Sequence, residues 1–185
     1  MTTRRPDYCG PVFGSSTPST ETEYSRGPLE YSVSVGLVVD GDPTVGVVYD
    51  PANEDLFQAD VTSAGEIDDV SLISEAFRVL VGRGEAGVSW SLPLPRGGAT
   101  EGIGSVAYRL GLLASGQGDA VTTNYGRNEW DVAAGVACCT AAGLQITDIF
   151  GEPLQFNQPE PWVRGLLVAR PALHRRLNAH FKSFG

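Results

Sequence analysis

The stretch Asn128-Glu129-Trp130-Asp131-Val132-Ala133-Ala134-Gly135 decides how this chain is read, because it sets one carboxylate at a strand-to-helix turn ahead of an almost wholly apolar run. From Val132 to Ala142 the residues are Val, Ala, Gly, Cys and one Thr, and Gly143 closes the run. A helix this apolar on every side is buried, and a glycine just past its last turn is a stop signal. Its first turn then faces a cleft. The unpaired N–H groups and partial positive charge there suit a phosphate, while a carboxylate at that place suits a Mg²⁺ ion beside the phosphate. Asp131 can equally serve as a helix cap and nothing more.

Working outward, Ala120 to Asn124 reads as a strand leading toward Asp131. Before it, Gly104-Ser105 opens a helix running to Ser115, with Ser105 as N-cap, Gly116 as stop, and Val106, Leu110 and Leu113 as the inner stripe. Further upstream, alternation from Glu30 to Asp40 predicts a strand, Gly41-Asp42 a tight turn and Thr44 to Tyr49 its antiparallel partner, with a third strand at 56–59. Phe77 to Val81 is a β-rich run followed by the turn Gly82-Arg83-Gly84. The Pro- and Gly-rich segment 88–98 is unsuited to a helix, and its Trp90 either stacks on a ligand ring or packs on its own domain. Gln145 to Phe150 and Gly165 to Ala169 are further β runs, and Pro171 starts a last helix with Leu173, Leu177 and Phe181 inward. The fold class expected is α/β: an antiparallel sheet followed by a mixed, mostly parallel sheet flanked by helices. Residues 1–28, rich in Ser, Thr, Pro and Gly, form an extended arm; 29–66 make the first sheet and 67–185 the α/β domain.

Composition narrows the function classes. Thirteen Lys and Arg stand against 22 Asp and Glu in 185 residues, a net charge of −9, which argues against nucleic-acid polymers and anionic membranes as partners. No apolar run approaches a membrane span, and the first ten residues lack an apolar signal core, so a cytoplasmic location is expected. Cys9, Cys138 and Cys139 read as small core residues rather than a disulfide framework. His174 and His180 are six apart, on different faces of the last helix, and form no zinc-type spacing.

The motifs E-W-D-x-A-A-G at 129–135, A-A-G-L-Q-I-T-D at 141–148 and G-E-P-L-Q-F-N at 151–157 resemble the C-terminal half of the inositol monophosphatase superfamily, including its bisphosphate-nucleotidase branch. The resemblance extends back through Gly104-Ser105-Val106-Ala107-Tyr108-Arg109-Leu110 and through 31–37 to 47–51, about residues 22 to 170 in all. It implies a Mg²⁺-dependent phosphomonoesterase of sugar or nucleotide phosphates, with Asp131 as catalytic metal ligand. Gly104, Ser105, Ala107 and Glu129 carry over as substrate-binding candidates. Arg83 falls where the family has a phosphate-binding turn; an exposed loop arginine is the alternative reading.

The chain departs from the family where the metal chemistry lies. Aligning Tyr24-Ser25-Arg26-Gly27 without gaps sets the family's D-P-x-D-G-T motif on Ser16-Thr17-Pro18-Ser19-Thr20-Glu21, so both metal-binding aspartates are serine. The family's opening helices, which carry a further metal-binding Glu, have no counterpart, and they are also what covers its first sheet. A two-metal mechanism must place a second ion to activate water, and neutral serines do not supply the charge. The expected cofactor is none, or weakly held Mg²⁺; Glu21, Glu23 or Asp7 could substitute as ligands or remain solvated loop carboxylates. The implied function is a degenerate family member whose pocket takes a phosphate ester or a polyol- or nucleoside-like small molecule, as a binding module or for non-phosphatase chemistry. The alternative is a Mg²⁺-dependent phosphomonoesterase completed by ligands from the arm or a partner chain. Beyond the small molecule, the expected partners are an intact homologue and further copies of the chain, a homo-oligomer joined through the uncovered face of the first sheet.

Overall fold

The computed structural model describes residues 10–16, 31–63, 75–86 and 93–184, the first of these as backbone only. Four strands, β1 (Gly10–Ser16), β2 (Ser32–Val39), β3 (Asp42–Asp50) and β4 (Asp55–Asp60), pair antiparallel in the order β1-β2-β3-β4. Part of the expected arm is therefore a strand, with Ser16 opposite Ser32 in the register. The β2 alternation comes out as read: Ser32, Ser34, Gly36 and Val38 are buried, while Val33 points the other way. The β2–β3 turn is closed by Asp40 and Gly41, both at positive φ. Asp50 winds the β3–β4 turn by accepting the N–H groups of Ala52 and Asn53 at 2.8 and 3.1 Å on Oδ1.

The second sheet has five strands in the order β6-β5-β7-β11-β9: β5 (Phe77–Val81), β6 (Gly98–Gly102), β7 (Ala120–Thr123), β9 (Gln145–Thr147) and β11 (Leu166–Ala169). Parallel pairing joins β5 to β6 and to β7, whereas β11 runs antiparallel to both its neighbours, so the sheet is mixed in equal parts. A two-stranded ribbon of β8 (Arg127–Asn128) and β10 (Trp162–Val163) stands apart. Three α-helices follow from the sequence pattern: α1 (Val106–Ala114), α2 (Glu129–Ala141) and α3 (Pro171–Phe181).

Helices α1 and α2 lie between the sheets. Val38 of the first sheet, Val106 and Leu110 of α1, Val132 and Val136 of α2, and Leu80, Val121 and Leu166 of the second sheet share one core. The opposite face of the second sheet, with Val79, Val81, Leu167 and Ala169, is covered by Leu173, Leu177 and Phe181 of α3. Glycine makes the closest contact possible: a Cβ on Gly46 would stand 2.1 Å from the Ala134 carbonyl oxygen, so α2 rests directly on β3. Cys138 and Cys139 are free and buried, as expected; Cys138 Sγ lies 3.7 Å from the Gly46 carbonyl, and burial pushes its thiol up to about 11.

Two sequence expectations change, and one finding agrees with the expected uncovered face of the first sheet. The buried helix begins at Glu129, three residues earlier than the apolar run, because Asn128 keeps extended backbone (φ −71, ψ 147) and the first turn is polar. Strand β9 ends at Thr147 rather than Phe150, since Asp148 Oδ1 gathers the N–H groups of Phe150 and Glu152 into a turn. The first sheet has one covered face, against α2; its other face shows Val33, Tyr49 and Leu56, 47, 37 and 56% exposed, paired in one cross-strand row.

Candidate functional site

The parallel strands β5, β6 and β7 deliver their carboxyl ends to one place. β5 lies between the other two, so the chain passes from β5 to β6 on one side and from β6 back to β7 on the other; ligands of open α/β sheets bind in the crevice where the strand order reverses in this way. Around it stand the turn after β5 with Arg83, the Gly104-Ser105 turn after β6, and residues 124–131 after β7. Arg83 is exposed, its Cα 3.5 Å from where a Cβ on Gly102 would lie. Gly104 is buried. Ser105, at φ 31, caps α1: its Oγ accepts the Tyr108 N–H at 3.3 Å and shares a 2.7 Å hydrogen bond with Ser32 Oγ. The capping reading of Ser105 is thus realised, and the hydroxyl also ties the turn to the first sheet.

Two substrate-binding candidates have buried side chains. Ala107 is fully buried against Val48, Ala134 and Phe57, so its methyl fills the core between α1 and the first sheet and offers a ligand no surface. Glu129 is 3% exposed and holds the 157–161 loop: Oε2 accepts the Asn157 N–H at 2.8 Å, Oε1 the Gln158 N–H at 3.2 Å, and its own N–H donates to Pro161 O at 3.1 Å. That carboxylate positions a loop.

Asp131 is the third residue of α2, not its N-cap. Asn128 Nδ2 donates to Asp131 Oδ2 at 3.3 Å, and the Asn128 N–H also bonds to the carboxylate, the backward reach of a capping box. The carboxyl is half-buried, and burial raises its pKa; the Asn128 side chain and N–H and the Arg127 guanidinium oppose that rise without cancelling it. Among the described residues no group of three or more His, Cys, Asp or Glu is arranged to hold a metal ion. Ser19, Glu21, Glu23, Asp7 and Trp90 lie outside the described residues. Among the described residues, Asp131 is thus held by an amide donor and joins no metal-holding cluster.

A buried network at the same crevice escaped the sequence reading. Glu85 is 6% exposed; Oε2 accepts the Gly82 N–H at 2.8 Å and faces Arg109 Nη1 at 3.5 Å, while Oε1 accepts the Thr123 hydroxyl at 2.5 Å and the Asn124 N–H at 3.2 Å. Arg127 Nη2 reaches Thr123 Oγ1 at 3.2 Å. Burial alone would raise the Glu85 pKa, but these partners outweigh it and hold the carboxyl below its ordinary value. One signal was available: Arg109 falls three residues after Val106, on the apolar stripe of its helix, where a charge implies a buried partner. A separate shallow cavity, lined by Glu75, Arg96 and Arg176, opens at the amino ends of β5 and β6, away from this crevice.

Two sheets enclosing a helix pair, with a carboxylate in the first turn of the buried helix, define a layered α/β protein whose cleft sits at strand ends. The sequence model of the inositol monophosphatase family matches residues 21–184, and the chain belongs to that family. It is 29% identical over 149 residues to the 3'(2'),5'-bisphosphate nucleotidase CysQ of Shigella flexneri, covering 76% of this chain and 60% of that protein. It is 32% identical over 146 residues to Nus factor SuhB of Xylella fastidiosa, covering 70% and 52%. The chain thus spans a little over half the length of these relatives. The fold matches a staphylococcal IMPase-II with a TM-score of 0.72 at 20% identity, over 94% of this chain and 72% of that one. It matches the inositol monophosphatase of Anabaena (Nostoc) sp. PCC 7120 with a TM-score of 0.68 at 26% identity, over 88% and 69%. No helix among the described residues is long and apolar enough to cross a membrane.

Proposed function

We propose that this chain is a family member that keeps a small-molecule cleft without the family's Mg²⁺-dependent chemistry. The observation that carries this reading is the state of Asp131: a half-buried carboxylate at the cleft, bonded to Asn128, with no metal-holding cluster among the described residues. Without a cation, a multiply charged phosphate is repelled by Asp131, while hydroxyl groups can donate to it. The cleft therefore takes neutral or singly charged ligands, polyol- or nucleoside-like, in preference to free phosphate. Calorimetric titration of inorganic phosphate, myo-inositol and adenosine against wild type and Asp131→Ala tests it. An affinity order with phosphate last, altered by the substitution, is expected; affinities that the substitution leaves untouched reduce Asp131 to a helix-capping residue.

A second reading draws on two relatives whose names make them phosphatases, the CysQ nucleotidase and the 3'-phosphoadenosine 5'-phosphate phosphatase of Mycobacterium bovis, the latter 35% identical over 68 residues, 37% of this chain and 26% of that protein. It is favoured by one observation. β1 ends at Ser16 beside Ser32, whose hydroxyl meets Ser105, so the last described residue before Glu21 and Glu23 in the sequence stands at the end of the sheet that faces the cleft. In that reading the arm, or a partner chain, completes a phosphomonoesterase.

A further inference from the structure

Trp162 is 56% exposed, yet its ring is held in place. The indole is seated on Gly126: a Cβ there would stand 2.2 Å from ring atoms Cε2, Cζ2 and Nε1, so only glycine permits the contact. In the β8–β10 ribbon Trp162 is opposite Asn128, and Val163 is opposite Arg127. Residues directly opposite across antiparallel strands leave on the same side, and sides alternate along each strand. Gly126, Asn128 and Trp162 therefore share one side of the ribbon. The other side is turned inward, where Val163 is buried and Arg127 bonds to Thr123. On the Trp162 side, Asn128 Nδ2 reaches Asp131 Oδ2. The loop leading into Trp162 is fixed by Glu129, which holds Asn157, Gln158 and Pro161, and the Trp162 N–H donates to Glu160 O at 2.8 Å. An exposed aromatic face, an amide and a carboxylate thus follow one another on a braced surface.

We propose that the outward face of Trp162 is a stacking platform for the planar ring of a nucleobase-type ligand, whose sugar hydroxyls meet Asn128 and Asp131. This rests on the reading above, in which the cleft at Asp131 holds a small molecule, and it names the ligand class. A polyol has no planar face to lay on the indole, whereas a nucleoside has a ring for Trp162 and hydroxyl donors for the carboxylate. Stacking on an aromatic side chain tolerates any base, so the platform selects for a ring and not for one base.

Calorimetric titration of adenosine and of myo-inositol against the full chain tests the platform, using wild type, Trp162→Ala, Trp162→Phe and Gly126→Ala with circular dichroism as a folding control. Adenosine is expected to bind more tightly than myo-inositol. Trp162→Ala weakens adenosine by about ten- to a hundredfold and leaves myo-inositol unchanged, in line with base stacking elsewhere. Trp162→Phe, which keeps a ring, retains most of the affinity, and Gly126→Ala weakens adenosine although the tryptophan is still present, because the added methyl dislodges it. Adenosine binding indifferent to Trp162→Ala overturns the platform. So does myo-inositol binding that depends on Asp131 while adenosine does not bind, an outcome that leaves the proposed function standing. If neither ligand binds, both readings fall.

Discussion

Asp131 is a carboxylate kept where ionisation is disfavoured, and that has a sign in stability. Its pKa in the folded chain is raised by burial, so the folded state binds the proton more tightly than the unfolded one and the ionised form carries a cost at neutral pH. Asp131→Asn should therefore raise the melting temperature at pH 7, with the gain fading as the pH falls toward about 4 and gone below it, where the unfolded carboxyl is protonated too. A residue present only to cap the helix predicts the reverse, a loss on the order of 1 kcal/mol at neutral pH. Glu85 has the opposite sign: its pKa is lowered, so its contribution is present above the unfolded value and disappears as pH falls toward the folded one. Glu85→Gln removes the buried negative charge that faces Arg109 and should cost about 3 kcal/mol in urea unfolding at pH 7, the deficit shrinking as the pH is lowered through about 4.

At the scale of elements, the contact of α2 with the first sheet is the tightest constraint. Gly46→Ala would drive a methyl into the backbone of Ala134, 2.1 Å from its oxygen, while at Gly36 the nearest backbone atom stands 3.1 Å away. Thermal unfolding should show Gly46→Ala losing about 2 kcal/mol or more, and Gly36→Ala distinctly less. Equal effects would mean that the helix rests on the sheet differently. Much of this architecture was legible. Alternation gave β2 and β3, the apolar run gave the buried α2, and Leu173, Leu177 and Phe181 gave the inner stripe of α3. What was not legible has physical causes. Gly98–Gly102 carries no periodicity, and β6 forms because β5 offers it a parallel edge. The start of α2 is set by extended backbone at Asn128 and by the ribbon with β10, a pairing across more than thirty residues that no local pattern announces. At the site, the Asp131 and Ser105 turns were visible as motifs. Ala107 and Glu129 matched motif positions while their side chains serve packing and loop placement, and Glu85 was hidden because a turn acid looks solvated until Arg109 and Thr123 close around it.

For the whole molecule, the row Val33, Tyr49 and Leu56 leaves an apolar surface on the face of the first sheet turned away from α2. We propose that copies of the chain associate through it. Sedimentation at micromolar concentration should give a dimer or larger species that Leu56→Lys dissociates without unfolding; a monomeric wild type refutes this. The same scale holds the central claim, that the family fold is kept here while its metal chemistry is not. The most direct measurement is Mg²⁺-dependent phosphate release by the purified chain from adenosine 3',5'-bisphosphate and inositol 1-phosphate, with Asp131→Asn alongside. The account predicts no release above background from wild type or variant. Robust Mg²⁺-dependent turnover by the wild type, abolished in Asp131→Asn, would contradict it and make the arm or a partner chain the source of the missing ligands.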